Sequence, residues 1–269
     1  MTNTYRLTQS IKNEVLEYSL DKYNQYGILE VFSDALDSEE LSKKLKEEHD
    51  LTDIIVKEVF DGKKTILLGD CPDKVAVTEN DFKFIVQPKN DDVGLPLSQV
   101  ELRNLIKTYS PGREVLSLFA YTGANSLYAM LGNAQSVSVV EHDPKFIQKI
   151  KKNFEINQMD LAQVWENKHV DFIELARESR TKWGLIVLDL SDYNLERLKD
   201  FNLLADHKDL IKEVQEKLLI DGGLLFVTSD NKNFVLDQYI RPGADKLTNK
   251  LIPESFAPLK SNQVFAFYN

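Results

Sequence analysis

The chain is nearly free of cysteine: Cys71 is the only one among 269 residues. A single thiol excludes a disulfide framework and any zinc cluster built on cysteines, and no metal is expected. Long hydrophobic runs are missing too. No stretch approaches the ~18 uninterrupted apolar residues that a membrane span needs. Met1 to Ser10 is polar and lacks the apolar segment of a secretory signal. These absences read as a cytoplasmic, reducing location with no membrane partner. A basic surplus is also missing. Lys and Arg number 33 against 43 Asp and Glu, a net charge of −10. Enzymes of nucleic acids usually carry a basic footprint, so no DNA partner is expected, and tight nonspecific binding to nucleic acid is disfavoured.

The deficit of positive charge is uneven. Residues 1–94 hold 12 Lys+Arg and 20 Asp+Glu, a net of −8, which leaves −2 for residues 95–269. The acidity therefore speaks against the N-terminal part as a broad clamp for RNA and says little about the remainder. Hydrophobic residues at 42% and charged residues at 28% describe an ordinary folded chain. The length suits one domain of ~150–200 residues and a smaller one.

Residues 1–92 read as a small α+β domain. Ile11, Val15, Leu16, Leu20 and Tyr23 recur at helical spacing and predict a first helix. Val31-Phe32 suggests a short strand. Asp37-Ser38-Glu39-Glu40 opens a second helix through Leu41 and Leu45, with Asp37 or Ser38 as its N-cap. Strand-like runs follow at 53–59, 64–68 and 81–86, with Asp61-Gly62 as a hairpin signal between the first two.

Residues 93–269 alternate helix and strand. Helices are expected at 100–109, 126–131, from Asp143-Pro144 onward, and at 203–219. Strands are expected at 114–119, 136–140, 184–188, 224–228 and 264–268. This rhythm predicts an α/β fold with a doubly wound, mostly parallel sheet.

Ligands of such sheets sit at the carboxyl ends of the strands. The residues in those places are Phe119-Ala120-Tyr121-Thr122-Gly123, then Glu141-His142-Asp143, then Asp171-Phe172, then Asp189-Leu190-Ser191-Asp192-Tyr193. The first loop has one glycine where a dinucleotide fingerprint needs three, which argues against NAD or FAD. A ligand without a pyrophosphate, such as S-adenosylmethionine, needs less glycine. Glu141 stands 18 residues past Gly123, where a strand-end carboxylate can take ribose hydroxyls. His142 could pack on an adenine face, Asp171 could accept from its exocyclic amine, and Phe172 could add apolar contact.

The run Val115-Leu116-Ser117-Leu118-Phe119-Ala120-Tyr121-Thr122-Gly123, followed by Glu141, resembles class I S-adenosylmethionine-dependent methyltransferases of large-subunit ribosomal RNA. Two branches share this loop, one acting on carbon-5 of cytosine and one on nitrogen-7 of guanine. The guanine branch is the more similar. Its D-x-G-L-F-L segment is mirrored by Asp92-Val93-Gly94-Leu95-Pro96-Leu97, and its V-T-E by Val77-Thr78-Glu79. Its D-H-x-x-L-[IM]-K helix is mirrored by Asp206 to Lys212, its G-G strand by Gly222-Gly223, and its N-N-K by Asp230-Asn231-Lys232. The likeness covers about residues 75–269. It implies a Rossmann-like methyltransferase sheet, S-adenosylmethionine as cofactor and ribosomal RNA as partner. It also implies cofactor binding by Phe119 to Gly123, Glu141, His142, Asp171 and Phe172, with Asp189, Asp192 and Tyr193 on the acceptor side. No accessory domain of the THUMP or PUA type, often carried by both branches, is legible.

The departures fall on the acceptor side. The family's D-P-P-x-F turn is Asp189-Leu190-Ser191-Asp192-Tyr193 here, with both prolines gone. Its L-D-H-R stretch is Leu97-Ser98-Gln99-Val100. Carbon-5 chemistry needs a cysteine nucleophile, and Cys71 lies outside every strand-end loop, so that branch is rejected. An exocyclic amine favours the missing proline turn. Nitrogen-7 of guanine has a lone pair and no proton to lose, and it remains the best acceptor. The lost prolines equally suit a silent binding or scaffold protein, and the charge suits a small-molecule methyltransferase.

Overall fold

The computed structural model describes residues 2–60, 63–160, 163–165, 169–191, 202–231, 233–253, 255–256 and 262–269. The chain divides into two compact units, Met1–Leu97 with Glu254–Leu259 and Ser98–Pro253 with Lys260–Asn269. Among the described residues, no helix is long and apolar enough to cross a membrane.

The first unit carries a five-stranded sheet in the order β1-β2-β3-β4-β5. Its strands are Thr4–Lys12, Val15–Tyr23, Tyr26–Val31, Asp53–Phe60 and Lys63–Leu68. Neighbours run antiparallel except β3 and β4, which are parallel and joined through helix α1, Ser38–Glu48. Asp37 caps that helix, its carboxylate accepting from the N–H groups of Glu39 and Glu40. Leu20, Leu29, Val31, Leu45, Leu51, Ile54 and Val56 form the core beneath the sheet. A separate hairpin pairs β6, Val75–Glu79, with β7, Phe82–Val86. Asp61-Gly62, read as a hairpin signal, lies outside the described residues.

The first predicted helix is instead the hairpin β1–β2. Asn13 and Glu14 take φ of 50° and 65°, a two-residue turn of left-handed backbone that reverses the chain. The Arg6 guanidinium grips the Asp21 carboxylate across the pair with two N–H groups. Register shifts at Arg6/Thr8 and Ser10/Ile11 break the two-residue alternation, and the apolar residues left over mimic helical spacing.

The second unit holds a seven-stranded sheet in the order β10-β9-β8-β11-β12-β14-β13. Its strands are β8 Glu114–Leu118, β9 Ser136–Val140, β10 Gln163–Trp165, β11 Trp183–Asp189, β12 Leu219–Ser229, β13 Ala244–Lys246 and β14 Gln263–Tyr268. The first five in that order are parallel, and β14 and β13 complete the sheet antiparallel. The helices are α2 Val100–Tyr109, α3 Ala124–Leu131, α4 Pro144–Ile156, α5 His169–Ser179, α6 Leu203–Glu213 and α7 Thr248–Leu251. The predicted helix over 203–219 is α6 followed by one π-turn at Val214–Leu218. The segment holding Asp171 and Phe172 was expected as a strand-end loop and is the first turn of α5.

Strand order reverses direction at β8, with β9 and β10 on one side and β11 and β12 on the other. A crevice forms at such a switch, outside the carboxyl ends of the strands. One sheet face packs Leu116, Leu118, Ile186, Leu188, Leu225 and Val227 against residues of α5 and α6. The other face carries Phe226, whose ring meets Tyr109 of α2 edge-on at 6.1 Å.

Candidate active site

Three strand ends meet at the switch. After β8 the chain turns through Phe119 and Tyr121, both left-handed with φ of 56° and 55°, and through Gly123 with φ of 80°. Non-glycine residues pay ~1–3 kcal/mol each for such backbone and hold it only where surroundings over-determine it. Here they do. The Ala120 N–H donates to the Val140 carbonyl at 3.1 Å, and the Gly123 N–H to the Ala120 carbonyl at 2.8 Å. The buried Asn153 amide of α4 donates to the Thr122 carbonyl at 2.9 Å. Tyr121 packs on Phe146 with ring centroids 4.8 Å apart. A side chain at Gly123 would meet the Ile150 and Phe154 side chains at 3.3 Å, a tight fit on top of a backbone at φ 80° that favours glycine.

Glu141 follows β9 and is buried. Its carboxylate accepts from three backbone N–H groups. Oε2 takes that of Tyr121 at 3.0 Å, and Oε1 takes those of His142 at 2.8 Å and Asp143 at 3.0 Å. A carboxylate has about four acceptor positions, so one on Oε2 is left. Burial raises its pKa above the ordinary 4.5, and the N–H groups of Asp143 and His142 only partly offset this. The half-buried His142 imidazole stands 3.4 Å from Glu141 Oε1. Asp143 caps α4 by accepting from the Lys145 N–H, and Pro144 occupies the first helical position.

Helix α3 begins at Gly123 without a side-chain cap. Its first turn holds two buried polar atoms without a hydrogen-bond partner among the described residues, Asn125 Oδ1 and Ser126 Oγ. Unpaired N–H groups at a helix start favour an anion.

Asp189 ends β11 and is buried. Its Oδ1 accepts from the Ser191 N–H at 3.2 Å and from the Ser191 hydroxyl. Leu190 is fully buried in the sheet core, with its N–H on the Thr228 carbonyl at 2.7 Å. The strand-end turn is thus built by a serine closing back on the aspartate, where the resembling family uses prolines. Asp192 and Tyr193 lie outside the described residues.

Phe119 to Gly123, Glu141, His142 and Asp189 therefore stand at the carboxyl edge of the sheet. Asp171 is exposed on the first turn of α5. Phe172 is seated elsewhere: it is buried with its ring 5.7 Å from Trp183, the first residue of β11. There it lines a cavity of about 340 Å³ with Glu114 and Ser136, at the amino ends of β8 and β9. Its apolar bulk serves the core. Sequence reading also missed Asn153, Asn125 and Ser126, whose only signal is polarity at positions that helical spacing assigns to a buried face. His207, within the family-like helix, is a structural pin. Its Nδ1 meets the Leu203 carbonyl at 2.8 Å, and its Nε2 accepts from the Asp237 N–H at 3.0 Å.

Known proteins share this fold and part of this sequence. A ribosomal RNA large subunit methyltransferase K of Neisseria meningitidis is 29% identical over 195 residues, covering 70% of this chain and 55% of that one. The chain thus spans about half the length of that relative. A Streptococcus mutans protein described as an S-adenosylmethionine-dependent methyltransferase superposes with a TM-score of 0.82 at 21% identity, covering all of this chain and 75% of its own. A solved methyltransferase complexed with S-adenosylhomocysteine gives 0.81 at 20% identity, covering all of this chain and 76% of its own. The family model for S-adenosylmethionine-dependent methyltransferases matches residues 56–248. The chain belongs to the S-adenosylmethionine-dependent methyltransferase family.

Proposed function

We propose that the chain methylates ribosomal RNA in the cytoplasm, at nitrogen-7 of a guanine. The observation that carries the cofactor half is the cradle between β8, β9 and α3. Glu141 keeps one carboxylate position for a ribose hydroxyl, with the His142 ring beside it. The uncapped start of α3, with its backbone N–H groups and the unpartnered Ser126 hydroxyl as donors, receives the methionine carboxylate, and the unpartnered Asn125 Oδ1 accepts from the methionine ammonium. The loop Tyr121 to Gly123 lies along the methionine chain, and Asp171 accepts from the adenine amine. S-adenosylmethionine supplies a methyl group on a sulfonium.

The ribosomal RNA half rests on the name of the Neisseria relative and on the acceptor side of the site. Cys71 is buried, burial pushes its thiol pKa up, and its Sγ donates to the Pro72 carbonyl. It is no thiolate nucleophile, so cytosine carbon-5 stays excluded. At nitrogen-7 the lone pair attacks the methyl carbon, the carbon–sulfur bond breaks, and its electron pair goes to sulfur. No proton leaves, so no general base is required. Asp189 faces the transferred methyl, where its charge disperses the sulfonium's, and most of the remaining catalysis is positioning.

Calorimetric titration with S-adenosylmethionine and S-adenosylhomocysteine tests the cofactor half. No binding at millimolar ligand overturns it and leaves the scaffold reading. Labelled methyl transfer to unmodified ribosomal RNA tests the acceptor half, and binding without transfer turns the reading toward a small-molecule acceptor. Asp189→Ala is expected to lower transfer ~10²-fold, on the scale of one lost electrostatic contact in a transition state. Unchanged transfer would remove Asp189 from the reaction.

Glu141 also sets a pH dependence. Its ionised form accepts from the ribose, so cofactor affinity falls as pH falls through its raised pKa, beginning above the 4.5 of an ordinary glutamate. Stability runs the other way. A carboxyl whose folded pKa is raised contributes most below the unfolded value, and that contribution is lost as pH rises through the folded one. Dissociation constants measured from neutral pH down through 4.5 check the first trend. An affinity that does not fall toward the acid end contradicts the assignment.

A further inference from the structure

We propose that Thr228 is a specificity residue that hydrogen-bonds the acceptor base. The inference rests on the RNA reading above and adds a residue that the strand-end loops did not bring forward. Thr228 stands next to last in β12, at its carboxyl end, and is 1% exposed. Its Oγ1 has no hydrogen-bond partner among the described residues. A buried hydroxyl without a partner is costly, and the slot would suit valine, which has the same shape.

Strand pairing fixes where this hydroxyl sits. Thr228 is the parallel partner of Asp189 and the antiparallel partner of Val264. Side chains alternate along a strand, and paired residues share a face. Val227 lies in the core with Leu188, whereas Phe226 turns to Tyr109 of α2 on the opposite face. Thr228 shares the face of Phe226, and Asp189 shares it too. The two polar side chains thus stand side by side on neighbouring strands, buried at the carboxyl edge of the sheet. Val264 on the other flank offers no polar atom. A hydroxyl that can donate and accept, placed beside the carboxylate facing the methyl, matches the edge of a nucleobase.

The test compares Thr228→Val with Thr228→Ser in the full chain. The readouts are methyl transfer to unmodified ribosomal RNA, S-adenosylmethionine binding by calorimetry, and thermal midpoint. Thr228→Val is expected to lower kcat/KM about tenfold, the scale of one hydrogen bond to a bound ligand, with cofactor affinity within ~twofold of wild type. Its midpoint should hold or rise, because an unpaired buried hydroxyl has been removed. Thr228→Ser should recover most of the transfer. Full activity in Thr228→Val overturns the proposal. So does a parallel loss of cofactor affinity, which would make Thr228 a cofactor contact, or a fall in midpoint, which would give the hydroxyl a structural partner. If the wild-type protein transfers no methyl to ribosomal RNA, the RNA reading itself fails and this one with it. The wild-type control separates that outcome from the others.

Discussion

Replacing Glu141 with alanine is expected to lower stability by ~2–4 kcal/mol and to weaken S-adenosylmethionine binding by ~1–3 kcal/mol. The larger effect comes from the protein itself. The carboxylate accepts from the N–H groups of Tyr121, His142 and Asp143, and all three donors lose their acceptor together. Hydrogen bonds to a charged group contribute ~1.5–3 kcal/mol each, and removing the burial penalty of the charge offsets part of the sum. The Tyr121 bond matters most for function. It ties the end of β9 to a residue held at φ 55°, flanked by Phe119 at φ 56°. Without it the loop loses one of the contacts that enforce left-handed backbone, and the cofactor cradle loosens with it. For a unit of this size the thermal midpoint should fall by roughly 5–12 °C. Glu141→Gln should cost less, because the amide oxygen still accepts two N–H groups while the NH₂ confronts the third. Thermal melts and calorimetry on both variants check this. A Glu141→Ala protein as stable as wild type, with reduced affinity alone, would mean that the carboxylate serves only the ligand.

Glu141, with three observed backbone donors and one proposed ligand, shows where sequence reading reaches and where it stops. The position of Glu141 was legible, because a carboxylate closing a strand 18 residues past Gly123 is a local pattern. The Asp37 and Asp143 caps were legible for the same reason: each acts on N–H groups two or three residues away. The occupancy of Glu141 was not, since its Tyr121 partner is 20 residues distant and is set by how β8 and β9 align. Thr228 is a sharper case. Within Leu224 to Ser229 it reads as one more strand former, and only its pairing with Asp189 brings it to the site. The β1–β2 hairpin failed in reverse. Its pattern was local but carried two register shifts and a turn without glycine, and the helical period fitted what remained. Phe172 marks another limit, because an aromatic at the start of a helix serves a core as readily as a ligand, and its ring packs near that of Trp183.

Gly132→Ala is expected to be as damaging as the loss of Glu141, from far outside the crevice. Gly132 closes α3, its N–H donating to the Tyr128 carbonyl at 3.0 Å. A methyl group there would stand 2.3 Å from the Lys107 carbonyl oxygen and 2.9 Å from the Ser110 Cβ. The nearer atom is helical backbone of α2, which has no rotamer to yield. Ser110 is pinned as well, its buried hydroxyl donating to the Ile106 carbonyl at 2.6 Å. The two helices must separate, and overpacking of this kind costs ~2–4 kcal/mol where the obstacle cannot rotate. Because the first turn of α3 carries Asn125 and Ser126, its displacement should also weaken cofactor binding, and a thermal melt with a calorimetric titration would show both losses in one variant. Gly112→Ala is the control. Gly112 has φ 69° with nothing within 4 Å of the added carbon, so it pays only the left-handed backbone, ~1 kcal/mol. If Gly132→Ala melts no lower than Gly112→Ala, then α2 and α3 do not approach as closely as described, and the first turn of α3 is not held in place by that contact.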